Sequence, residues 1–233
     1  MILPTLQELL ESGVHFGHQK GRWHPKMKPF IYAERNGIHV LNLEKTAVKL
    51  AEAAEFVKGV SKRGGSVLFV GTKKQAQNIM KKYALESGSP YIIERWIGGL
   101  FTNFTNVSKL IKKYKGLLES KESGALEKYT KKEQVEFAKE IEKLSRFVGG
   151  LTDLNKIPEA IFVCDVKKEK TAVAEATKRN VPIISFVDSN INPDLVTHPI
   201  PANDDGVKSI EIIAKTIAAA VRAGKVEKQK IEA

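Results

Sequence analysis

The chain has 233 residues, 42% of them hydrophobic and 28% charged, which is long and apolar enough for a real core and typical of a soluble globular protein. No apolar run approaches the ~18 residues of a membrane span, and "MILPTLQELLESG" shows acidic residues and a helical period where a signal peptide has basic and apolar stretches. A cytoplasmic protein without a membrane partner is therefore expected.

Charge is distributed unevenly. The formal net charge is +11, and residues 1–118 hold 19 Lys or Arg against 8 Asp or Glu, whereas residues 119–233 hold 19 of each. Three acid-free windows, residues 12–33, 56–85 and 95–118, carry sixteen of the cations. Such asymmetry predicts a face that meets phosphates. For Lys58, Lys62, Lys81 and Lys82 an ordinary solvated helix face explains the charge equally well.

In chain order, "TLQELLES" pairs a capping threonine, Thr5, with Glu8 three residues on and predicts a short helix ending at Gly13. "FIYAERNGIHVLNL" predicts a β-hairpin turning at Asn36-Gly37. An amphipathic helix follows from Leu43 to about Ser61. "GGSVLFVGT" is then a buried strand, "KKQAQNIMKKYALESG" a helix ending at Gly88, and "PYIIERWI" another short strand. Strands that are apolar throughout and alternate with helices predict a parallel sheet covered on both faces.

That rhythm breaks over residues 103–151. Phe104, Val107, Ile111, Tyr114 and Leu118 form one heptad seam and Phe137, Ile141, Leu144, Val148 and Leu151 another. With polar "ESKESGALEKYTKK" between them, the segment reads as an inserted antiparallel coiled-coil hairpin, each arm ~27 Å long. The alternation then resumes: "KIPEAIFVCD" as strand, "VKKEKTAVAEATKRN" as helix, "VPIISFVDS" as strand, and a closing helix capped near Asp204 or Asp205. The expected fold is thus an α/β, doubly wound, mainly parallel sheet with one insertion. Its body comprises residues 1–102 and 152–224, the hairpin residues 103–151, and a frayed tail residues 225–233.

Strand ends are where such a fold does chemistry. At "VLFVGTKKQ", Thr72, Lys73 and Lys74 open a helix, so free N–H groups and two ammonium groups would suit a phosphate, although neither the P-loop nor the dinucleotide spacing is present. His15 and His18 could contribute to a metal site, yet residues 12–33 offer no carboxylate to complete one, and satisfied structural histidines are the better reading. Asp165, Asp188, Asp204 and Asp205 stand at strand ends or helix starts, and helix capping accounts for the last two without catalysis. The lone Cys164 sits in an apolar run as a small hydrophobe. In "GHQKGRWHPKMKPF", Lys20, Arg22, Lys26 and Lys28 alternate with Trp23 and two prolines, giving a stiff cationic loop whose tryptophan is better placed to anchor it than to stack on a base.

Those blocks, together with "RWIGGLFTNF" and "PIPANDDGVKSIEII", resemble the bacterial form of small-subunit ribosomal protein two, in that family's order, from about residue 3 to residue 222. The resemblance implies a doubly wound body with a protruding coiled coil and a structural, non-enzymatic role at the junction of head and body on the solvent side of the small subunit. It implies contact with ribosomal RNA and other small-subunit proteins, and help in recruiting ribosomal protein one. No catalytic residue, cofactor, metal or small-molecule substrate is expected. By position, Lys20, Arg22, Trp23, Lys26 and Lys28 match the family's basic N-terminal motif. Thr72, Lys73 and Lys74 match its "GTK" turn, and Arg95, Trp96, Gly98, Gly99, Thr102 and Asn103 its "RWxGGxxTN" block, of which Arg95 and Asn103 are candidate RNA contacts and Trp96 belongs at the hairpin's base. Two rival readings remain from residues alone: a sugar-phosphate enzyme or regulatory domain built on "GTKK", and a protein scaffold working through the hairpin.

Overall fold

The computed structural model describes residues 3–232; Met1, Ile2 and Ala233, at the ends of the expected body and tail, lie outside it. The first helix, α1 (Leu6–Glu11), starts as its sequence demands. Thr5 accepts the Glu8 N–H at 3.2 Å and donates its own N–H to the Glu8 carboxylate at 2.7 Å. A strand that the sequence reading did not foresee follows, β1 (Phe16–Gln19). The proline-rich loop beyond it folds into two 3-10 turns, Lys20–Arg22 and Pro25–Phe30, because Pro25 and Pro29 deny it an α-helix. The hairpin β2 (Ile31–Arg35) and β3 (Ile38–Leu41) turns at Asn36 and Gly37, both at positive φ (53° and 75°), and β1 joins it in an antiparallel sheet ordered β1-β3-β2.

The body continues with α2 (Leu43–Lys62), β4 (Val67–Val70), α3 (Lys74–Ser87) and β5 (Tyr91–Ile92). After the inserted segment come β6 (Ala160–Val163), α6 (Lys170–Lys178), β7 (Ile183–Val187), β8 (His198–Pro201) and α7 (Val207–Glu232). The second sheet has the order β5-β4-β6-β7-β8, parallel throughout. Strand β8 was hidden in the sequence by Pro199 and Pro201, which a sheet tolerates at an edge, where this strand lies.

Alternate residues of the central strands feed two cores. Phe69, Phe162, Ile184 and Phe186 pack with α2, α3 and α7, while Leu68, Val70, Ile161, Val163 and Val187 pack with α6 and the inserted helices. Each large side chain removed from water contributes roughly 1.5–3 kcal/mol. Helices α2 and α7 approach so closely at Gly224 that a Cβ there would lie 2.3 Å from the Lys58 carbonyl oxygen.

The insertion consists of α4 (Phe104–Glu122) and α5 (Lys131–Val148), joined by a short turn and capped at its return by Thr130 and Glu133. Val107, Ile111 and Tyr114 of α4 and Ile141, Leu144 and Val148 of α5 are buried in the second core, and Lys113 pairs with Glu140 across the two helices. No residue from 115 to 140 is buried. The heptad seams therefore seat the two helices on the body at one end, while toward the other end Leu117, Leu118 and Leu126 are only partly buried.

Two expectations are corrected here. Residues 225–232 continue α7 instead of fraying; Lys225 donates to the carbonyl oxygens of Ser87 and Gly88 at 2.8 and 2.7 Å, tying the last turns to the end of α3. The aspartates Asp204 and Asp205 do not use their carboxylates as caps. The turn ahead of α7 is held instead by Asn203, whose Oδ1 accepts the N–H groups of Asp205 and Gly206 at 2.8 and 3.1 Å.

Candidate nucleic-acid interface

A parallel sheet delivers the carboxyl ends of all its strands to one edge, and in the order β5-β4-β6-β7-β8 the chain reverses direction across the sheet between β4 and β6. That reversal is the crevice where open α/β folds hold ligands. Here the protein fills it with its own charges. Lys73, just beyond β4, places Nζ 2.6 Å from Asp205, 3.0 Å from Asp204 and 3.4 Å from Asp165. Burial opposes the charge of Lys73, but its hydrogen bonds and the facing carboxylates outweigh that and hold the ammonium protonated well above the usual lysine range. Asp204 is pushed up to about 7, by burial first and then by the charges of Asp188 and Asp165, with Lys73 acting in the opposite direction.

Thr72 is equally committed. Its N–H donates to Glu169 at 3.1 Å and its hydroxyl donates to the same carboxylate oxygen, while its carbonyl accepts from Lys168 Nζ at 2.9 Å. Glu169 is buried, and burial raises its pKa despite the Thr72 hydrogen bonds. The Thr72 donors and the Lys73 ammonium are therefore spent inside the molecule. Of the turn's three candidates only Lys74 is exposed, and it has no acidic partner among the described residues.

The cationic loop docks on the same edge. The N–H groups of His24 and His18 donate to the carbonyl and hydroxyl oxygens of Ser189, two residues past β7, both at 2.8 Å. Met27, fully buried, is the loop's main anchor, and the sequence reading missed it because one methionine among cations carries no periodic signal. Trp23 is 36% exposed, its ring 5.4 Å from that of His39, so it only half serves as anchor. Lys20 pairs with Glu34 at 2.8 Å and Lys26 with Asp194, both pairs being solvated. Arg22 and Lys28 are exposed without an acidic partner among the described residues.

Beyond β5, Arg95 is exposed, whereas Trp96 is buried against Phe101 at a ring separation of 5.4 Å. The turn is fastened by Glu175 of α6, which accepts from the Trp96 indole N–H and from the backbone of Gly99, Phe101 and Thr102. Arg179 adds bonds to the Phe101 and Thr102 carbonyls at 3.0 and 3.1 Å. Asn103, exposed, stands at the start of α4 without a side-chain capping bond. The loop cations, Lys74 and Arg95 thus all follow the carboxyl edge of the parallel sheet or dock upon it.

His18 was expected as a structural histidine, and its Nδ1 lies 3.0 Å from Asp188, its Nε2 3.6 Å from Asp205. Its pKa is raised, chiefly by the hydrogen bond to Asp188. Burial lowers that of His15. The carboxylates around His18 come from the far end of the chain, which local spacing could not reveal. Cys164 is buried, and its thiol is pushed up by that burial.

The fold is an open α/β sheet whose switch-point crevice is filled by internal ion pairs and whose rim keeps exposed cations. The chain belongs to the ribosomal protein S2 family: residues 9–224 match the family described as Ribosomal protein S2. It is similar to the small ribosomal subunit protein uS2 of Coprothermobacter proteolyticus, with 49% identity over 231 residues that cover 99% of this chain and 86% of the relative. That family is made of structural proteins of the ribosome and not of enzymes.

Proposed function

We propose that the protein, a structural constituent of the small ribosomal subunit in the cytoplasm, grips ribosomal RNA through the cationic rim at the carboxyl edge of its sheet and helps to bring ribosomal protein one to the subunit. The single observation that carries the RNA reading is the company of Arg22, Lys28, Lys74 and Arg95: all four are exposed, without acidic partners among the described residues, on segments that leave or dock on one edge of the sheet. Lys20 and Lys26, whose carboxylate partners are solvated, can exchange them for phosphates at little cost. Thr72 and Lys73 support the rim from beneath instead of touching RNA. Recruitment of ribosomal protein one rests on family membership, and the solvated outer part of the α4–α5 insertion is a surface free for a protein partner.

Sedimentation tests the RNA reading. The protein should travel with small subunits at low salt and be stripped from them as salt rises, because phosphate contacts release counterions. A phosphorylated metabolite that protects the isolated protein against heat would favour the sugar-phosphate rival.

A further inference from the structure

The RNA-binding reading leaves unused a cluster at the carboxyl edge of the sheet, beyond β7 and β8. His18 on β1, Asp188 just past β7 and Asp204 just past β8 each direct one ligand-type atom to a common place, the three atoms lying within 4.8 Å of one another. Three ligands at ~2.1 Å from a tetrahedral centre stand about 3.4 Å apart, so small side-chain rotations bring these atoms to bonding geometry.

A second, independent feature shows what is missing. Asp188 is 1% exposed, and its Oδ1 accepts from the N–H and hydroxyl of Ser189 and from His18. Its Oδ2 is buried with no hydrogen-bond partner among the described residues. A carboxylate oxygen removed from water and left bare is costly unless a cation meets it. The charges agree: among the described residues, Asp165, Asp188, Asp204 and Asp205 converge where Lys73 and the imidazole of His18 are the cationic side chains paired with them.

We propose that His18, Asp188 and Asp204 bind one divalent transition-metal ion of the zinc class. An imidazole nitrogen in the set favours zinc over magnesium or calcium, and three protein ligands leave a fourth position open. The supporting contacts are those a metal site needs: Ser189 fixes Asp188 through its other oxygen, and Lys73 fixes Asp204 through Oδ1 at 3.0 Å. In the absence of metal the hydrogen bond between His18 and Asp188 holds the two ligands together. The ion would staple the antiparallel sheet, through β1, to the carboxyl ends of β7 and β8.

The test uses the full chain, stripped with a chelator and dialysed against zinc. The expected result is about one zinc per chain by mass spectrometry, a raised melting midpoint with zinc, and none with magnesium at equal concentration. Asp188→Asn and His18→Gln, checked for folding by circular dichroism, should weaken zinc binding by at least about 100-fold. On the wild-type chain, zinc should shift the imidazole resonances of His18 and leave those of His24 and His198 in place, a readout that stands even where a variant fails to fold. Failure of the wild type to retain zinc, retention by both folded variants, an equal response to magnesium, or unmoved His18 resonances would each overturn the proposal.

Discussion

The indole N–H of Trp96 donates to Glu175 at 3.1 Å, and the same carboxylate gathers the N–H of Gly99 at 2.8 Å and those of Phe101 and Thr102 at 3.2 and 3.3 Å. One side chain of α6 thus sets the turn that carries Arg95 and launches α4. Burial alone would raise the pKa of Glu175, but these donors outweigh it and hold the carboxyl below its ordinary range. Because the folded pKa is the lower one, the stabilisation is complete above the unfolded value of about 4.3 and is lost as pH falls through the folded value. Glu175→Gln should cost about 2 kcal/mol at neutral pH, and urea unfolding from neutral to acid pH should show its deficit shrinking toward the acid end.

Lys73 gives the second prediction. Removing it leaves Asp165, Asp204 and Asp205 facing one another without their shared ammonium. Lys73→Met should therefore destabilise the fold by about 3 kcal/mol, while Lys74→Met, exposed on the next residue, should change stability by less than ~0.5 kcal/mol. Thermal or denaturant unfolding of the pair decides it. Equal small effects would place Lys73 on the surface with the exposed rim cations.

The interhelix contact at Gly224 gives the third. A methyl group there meets the Lys58 carbonyl oxygen at 2.3 Å and the Ser61 Cβ at 2.8 Å, neither of which can swing aside. Gly224→Ala should destabilise by about 1–3 kcal/mol, although alanine is otherwise the better helix former. A more stable variant in chemical denaturation would show that α2 and α7 have room to part.

The outer part of the insertion gives the fourth. Since nothing between residues 115 and 140 is buried, replacing residues 118–136 by a short glycine-serine turn should leave the melting midpoint within a few degrees of wild type. Binding of the truncated chain to small-subunit RNA should persist, and its binding to ribosomal protein one is the property to compare. A collapse of the melting transition would mean that the distal helices hold the body together.

How much of this was legible beforehand follows from the range of each signal. Local signals worked: the Thr5/Glu8 cap, the Asn36-Gly37 turn, the apolar strands at 67–70 and 183–187, and the heptad spacing that marked α4 and α5 are each set by residues a few positions apart. β1 and β8 were missed because one contains glycine and histidine and the other two prolines, and only pairing with distant strands makes them strands. The exposed cations were found from composition. The fate of Thr72 and Lys73 was not, because Glu169, Asp204 and Asp205, which claim them, lie 97 to 132 residues away in sequence and come together only when the sheet forms. A helix start followed by two lysines looks the same on paper whether an external phosphate or an internal carboxylate answers it.

The central claim, that the cationic rim is the RNA grip, is tested most directly by titrating salt against the affinity for small-subunit ribosomal RNA, for the wild type and for a variant with Lys20, Arg22, Lys26 and Lys28 replaced by alanine. With six to ten phosphate contacts, wild-type affinity should fall by about 10³ to 10⁵ between 50 and 200 mM salt. The variant should show a slope shallower by up to ~4 phosphate contacts with its thermal unfolding nearly unchanged. A wild-type affinity indifferent to salt, or a variant whose slope equals that of the wild type, would contradict the account.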